Sequence, residues 1–131
     1  MDVNECIEKG LLKQIEKSSR KAVRSIDISK LKLIKASKLL DAGFSEDSFT
    51  NSYTAMFHAS RALLFKDGFK ERSHYAIYVY LKEKYSDKLE PRFLNELDVL
   101  RMERHEIQYS LEPVNIKKDE ATRVLNVAKD F

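Results

Sequence analysis

The chain has 131 residues, the size of one domain, and is long enough to bury roughly two-thirds of its unfolded surface without crosslinks. Three Gly and two Pro are too few for a turn-dense β-sandwich or barrel, and Gly10, Gly43 and Gly68 lie too far apart for a dinucleotide-binding or P-loop turn; 34% charged and 43% hydrophobic residues instead predict an all-α fold. With 24 basic and 21 acidic residues the net charge of +3 permits nucleic-acid binding without requiring it.

Val3, Ile7, Leu11, Leu12 and Ile15 recur at three- and four-residue spacing and predict an N-terminal helix over residues 3–19. Cys6 falls on this helix face; a lone cysteine makes no internal disulfide, and with no apolar run of membrane or signal-peptide length the expected location is cytoplasmic. Lys9, Lys13, Lys17, Arg20, Lys21 and Arg24 make this end basic, which reads as a solvated face. A connector around Lys21 to Asp27 leads to a second helix capped by Asp27 or Ser29, apolar at Leu33, Ala36, Leu39 and Leu40, and closed by Gly43 in the left-handed conformation.

The third helix shows the strongest pattern, with Phe49, Tyr53, Met56, Phe57, Ser60, Leu63 and Leu64 on one stripe. Ser45 or Asp47 can cap its start, and Gly68 ends it. His58, Arg61 and Phe65 lie on a second stripe with Thr54. A helix with two partly apolar faces meets two partners, so these three residues are the expected face of a homodimer. Ser73 caps the next segment, Tyr75 to Tyr85, whose Tyr-Ala-Ile-Tyr-Val-Tyr run has strand chemistry; the spacing of Ile77, Leu81 and Tyr85 predicts a helix. Pro91 opens a helix through Phe93, Leu94, Leu97, Leu100, Arg104, Ile107 and Leu111, which Pro113 stops. A last helix covers residues 117–129. The expected architecture is an antiparallel, up-and-down bundle of five to six helices in a single domain, residues 1–131. Ten of the thirteen aromatic residues fall between Phe44 and Tyr85, the expected centre of the core.

No metal or cofactor is expected. His58, His74 and His105 belong to different helices, and His105-Glu-Ile-Gln-Tyr109 lacks the second histidine of a zinc-binding helix turn. The anomaly is Arg104. It continues the apolar line of Leu97 and Leu100, so the helix turns a guanidinium toward its buried side, where an unpaired charge costs several kcal/mol. Either a carboxylate on a neighbouring helix pairs with it, or it stands in a partly open groove and meets a phosphate or a partner's carboxylate. His105 and Tyr109 are then the nearby proton-sharing groups, and Arg101 and His105 are i, i+4 neighbours.

Two stretches carry a family resemblance: Tyr53-Thr-Ala-Met-Phe-His-Ala-Ser-Arg-Ala-Leu-Leu64, followed by Gly68 and Ser73-His74, and then Arg104-His-Glu-Ile-Gln-Tyr109. The first resembles the helix signature, and the second the R-x-x-A-D-Y signature, of the small archaeal and bacterial single-domain branch of the HEPN superfamily, with a family-like core over about residues 27–130. The resemblance implies a helical bundle that dimerises and works beside a minimal nucleotidyltransferase in a toxin–antitoxin-like pair. Members with an intact R-x4-6-H motif are metal-independent ribonucleases. Here Tyr109 stands where that histidine would fall, and a phenol is a poor proton shuttle at neutral pH. Gln108 replaces the signature's acidic residue.

The expected function is therefore a non-catalytic module that binds nucleotide or RNA through Arg104, Gln108 and Tyr109. The alternatives are an endoribonuclease using Arg101, Arg104 and His105, and a purely structural interaction domain.

Overall fold

The computed structural model describes residues 1–109 and 116–130, with the side chains of all but Gln108 and Tyr109. Six helices and a two-stranded ribbon follow one another: α1 (Val3–Glu8), β1 (Leu12–Gln14), α2 (Ser19–Asp41), α3 (Ser45–Asp67), β2 (Phe69–Glu71), α4 (His74–Tyr85), α5 (Pro91–Tyr109) and α6 (Lys118–Asp130). The all-α bundle expected from composition and periodicity is the fold observed. Leu111 and Pro113, the expected end of α5, lie outside the described residues.

The N-terminal third departs from the sequence reading. Instead of one helix over residues 3–19, α1 ends after two turns, and Gly10 (φ +74°) reverses the chain. Leu12, Lys13 and Gln14 then pair antiparallel with Glu71, Lys70 and Phe69. The ribbon continues beyond the strands, with Ile15 N–H donating to the Gly68 carbonyl (2.9 Å) and Arg72 N–H to that of Leu11 (2.8 Å). Leu11, Leu12 and Ile15 fit a helix face, but the backbone groups released by α3 at Gly68 offer this segment a partner, and Leu12 is buried either way.

The connector expected at Lys21 to Asp27 is helical. Ser18 accepts from the Lys21 amide (3.1 Å) and starts α2 some ten residues earlier than the Asp27 or Ser29 cap would. Nothing in Ser19–Asp27 breaks a helix, and Ser25 and Ser29 are small enough to sit against α3.

α2 and α3 form a helical hairpin with the most extensive contact in the fold. The turn has Gly43 at φ +87°, as expected, and Phe44 N–H reaches back to the Leu39 carbonyl (2.8 Å). No side chain caps α3; Glu46 and Asp47 instead place negative charge in its first turn. The small buried residues of α2 let the backbones approach, and two serines bond across. Ser29 Oγ donates to the Ala55 carbonyl (2.7 Å) and Ser48 Oγ to that of Ala36 (2.8 Å). Ser29→Ala is expected to cost about 1 kcal/mol in urea unfolding, the value of one such bond.

Phe49, Tyr53, Met56 and Leu64 of α3 form the centre of the core, packed by Ile77 and Leu81 of α4, Leu97 and Leu100 of α5 and Val124 of α6. The aromatic-rich stretch thus serves the interior. α4 is a helix despite its strand-like residues, started by Ser73 accepting from the Ala76 amide (3.1 Å). Two of its tyrosines, Tyr80 and Tyr85, both donate to Asp67 Oδ2, at 2.8 and 2.6 Å. Burial and the Asp67 carboxylate push both phenols up, Tyr85 to about 12.

Candidate functional site

Along α5, Leu97 and Leu100 are fully buried, and the same line one turn later carries Arg104, partly buried, and then Ile107. The helix leaves the core here, so a guanidinium continues a leucine stripe without being sealed in. Across from it the Ser73 cap begins α4 and sets His74 and Tyr75 on the facing side. Between the two helices lies a groove of about 680 Å³, lined by Ser73, His74 and Tyr75 from one side and by Arg101, Arg104 and His105, with Met102, Glu103 and Glu106, from the other.

The two arginines differ in their pairing. Arg101 donates to Asp98 Oδ1 through Nη2 at 2.7 Å and Nε at 3.2 Å, and its guanidinium lies 5.1 Å from the centre of the Tyr75 ring. Arg104 has no carboxylate in ion-pair range among the described residues. The internal carboxylate that the sequence allowed as its partner is thus absent from them, and the guanidinium lines the groove.

Beneath the arginines lies a feature with no counterpart in the local spacing of the sequence. Tyr53 Oη is 2.7 Å from His74 Nδ1, and the imidazole stacks on Phe57 with centres 4.2 Å apart. Burial, and then the positive charges of Arg104, Arg101 and Arg61, lower the His74 pKa to about 4, so the ring is neutral at pH 7. Burial raises the Tyr53 phenol above its usual range despite the same two groove arginines. The Tyr53 hydroxyl and His74 Nδ1 share one hydrogen bond, whose direction follows the imidazole tautomer. The pair is a support under the groove: a phenol that stays protonated and an imidazole that is neutral at pH 7.

The other candidates fall in two places. His105 is exposed and lines the groove. The side chains of Gln108 and Tyr109 lie outside the described residues. The expected dimer face on α3 is largely occupied within the chain. Phe65 is only 7% exposed, and Arg61 Nε lies 2.9 Å from Glu71 Oε1 with its guanidinium against the Phe65 and Phe57 rings. His58 is partly buried edge-on to Phe57, and burial followed by the Arg61 charge lowers its pKa.

His74 and Tyr53 belong to the stretch that carries the family resemblance, but their spacing assigns neither a place in the site. Their contact is made by the crossing of α3 and α4, 21 residues apart, which no spacing rule reads. Among the described residues no group of His, Cys, Asp and Glu could hold a metal ion, and no helix is long and apolar enough to cross a membrane.

Comparison with curated proteins gives no match. The family model described as HEPN domain matches residues 22–131, leaving α1 and β1 ahead of the matched region. The match takes in both helices of the groove and the α3 helix that supports them, and on that extent the chain belongs to the HEPN domain family.

Proposed function

We propose that this chain is a binding module without catalysis of its own, which holds the phosphate of a nucleotide or RNA strand in the groove at Arg104. In this reading it acts as a homodimer, together with a minimal nucleotidyltransferase partner in a toxin–antitoxin-like pair. The observation that carries the binding role is the guanidinium of Arg104, unpaired among the described residues and open to a groove. Its planar fork matches a phosphate, and the partly buried setting strengthens the attraction relative to open water. The surrounding chemistry favours holding over cleaving. His74 is neutral and a weak base, the Tyr53 phenol stays protonated, and neither is poised to exchange a proton near pH 7. Arg101, paired with Asp98 and packed on Tyr75, then orients the ligand.

One observation favours the endoribonuclease reading: His105 lines the same groove as Arg101 and Arg104. A single experiment addresses both. Fluorescently labelled single-stranded RNA and adenine nucleotides are titrated with the chain in EDTA, and the RNA is then run on a denaturing gel. Arg104→Ala should weaken binding about tenfold and reduce the salt dependence by about one counterion. The RNA should stay intact. Cleavage that His105→Ala abolishes would replace this reading with the enzyme, and no binding by wild type would leave only a structural domain.

A further inference from the structure

α2 carries a second face, unrelated to the groove. Its inner side, with Ser25, Ser29, Ala36 and Leu40, is buried against α3 and α6. On the opposite side Val23, Ile26, Leu31 and Ile34 are exposed by 61, 37, 65 and 54%. At i, i+3, i+8 and i+11 they fall within roughly 140° of helical arc, on one side of the helix that also carries the exposed Asp27 and Lys30. Four exposed aliphatics on one helix are a cost in water that no packing among the described residues offsets.

The surroundings of the strip indicate what covers it. Ile34 and Leu33 line a depression of about 520 Å³ between α2 and the end of α6, together with Ser37 and the lysines Lys30, Lys38 and Lys129. α2 as a whole has seven basic and two acidic residues. A second copy laid on this strip would bring two strongly basic helices together. A single-stranded nucleic acid binds on rings as well as cations, whereas this face has aliphatic side chains and no aromatic residue. A lipid surface meets a projecting face, not a hollow with cationic edges. An apolar centre with positive edges matches a helix of opposite pattern: an aliphatic ridge flanked by carboxylates.

We propose that this face of α2 docks an acidic amphipathic helix of a partner protein, its aliphatic ridge seated at Ile34 and its Asp and Glu side chains meeting Lys30, Lys38 and Lys129. The surface is built on α2 and α6, whereas the groove is built on α4 and α5, so it stands or falls independently of the ligand at Arg104.

The probe is a labelled synthetic helix of about 20 residues with Leu at the a and d positions and Glu at e and g, compared with the same helix bearing Lys at e and g. By fluorescence anisotropy on the full chain, the Glu helix should bind at least about tenfold more tightly than the Lys helix and lose affinity with added salt. Leu31→Ser with Ile34→Ser should weaken it about tenfold, with circular dichroism and the unfolding midpoint unchanged because both side chains are exposed. Lys30→Glu with Lys38→Glu should invert the preference between the two helices. Failure of the Glu helix to bind, equal binding of both helices, or no effect of the double serine variant would overturn the proposal. So would displacement of the Glu helix by polyuridylate, or a self-association in sedimentation that the double serine variant dissolves.

Discussion

Gly68→Ala is expected to lower the unfolding free energy by about 3 kcal/mol. Gly68 sits at φ +90°, which costs an L-residue about 1–2 kcal/mol by itself. The added methyl would also stand 2.9 Å from the Ile15 carbonyl oxygen and 3.1 Å from Lys17 Cγ. Ile15 cannot retreat freely, because its amide donates to the Gly68 carbonyl and its neighbours form the ribbon with β2. The rest of the loss is overpacking, of about 1–2 kcal/mol. Gly43→Ala supplies the control: φ is nearly the same, +87°, and nothing lies within 4 Å of the added methyl. It should cost about half as much. Urea unfolding of both variants, with amide exchange at Leu12 to Gln14 as a local readout, tests the difference; equal losses would mean that the close approach of the N-terminal segment contributes nothing.

The second large effect is a loss of stability in mild acid that depends on His74. In the unfolded chain this imidazole takes a proton near pH 6.5, while in the folded chain it resists until about 4. Between those values the unfolded state binds more protons, so folding stability falls as pH falls. This lowering of the His74 pKa corresponds to about 3 kcal/mol when complete, and partial solvent contact reduces it to about 2. His58 shifts in the same direction, so the wild-type curve alone does not assign the effect. His74→Gln keeps an acceptor for the Tyr53 hydroxyl without a titrating ring. Its stability should decline less than that of wild type between pH 7 and about 4.5, by roughly 2 kcal/mol in urea unfolding. Parallel curves would show that the stacked imidazole does not hold off its proton.

What could be read from the residue order and what could not divide along physical lines. The stripe of Phe49, Tyr53 and Met56, the glycine after α2, the Ser73 cap and Pro91 at the start of α5 are local signals. The structure repeats them because each expresses a preference of a few neighbouring residues. The segment 11–15 failed because Leu11, Leu12 and Ile15 satisfy helix spacing while the deciding partner, β2, lies more than fifty residues away. Asp27 and Ser29 failed as caps because Ser18 competes for the same helix with a free backbone ahead of it. For the site, Arg104 was legible as a charge on an apolar line. His74 was not, since its meaning comes from Tyr53 on another helix and from charges that only the fold brings near. The same holds for the start of α2, where Val23 and Ile26 fall in a stretch that reads as a connector.

The carboxylate that Tyr80 and Tyr85 share bears on the other end of the pH scale. Both phenols hold their protons longer in the folded chain than the ordinary value near 10, so the contribution of this pair is complete below about pH 10 and is lost as pH rises from there through the folded-state value of Tyr85 near 12. With His74 setting an acid limb that begins near pH 6.5, the contributions of these two aromatic clusters, on opposite ends of α4, are both complete only from neutral to moderately alkaline conditions.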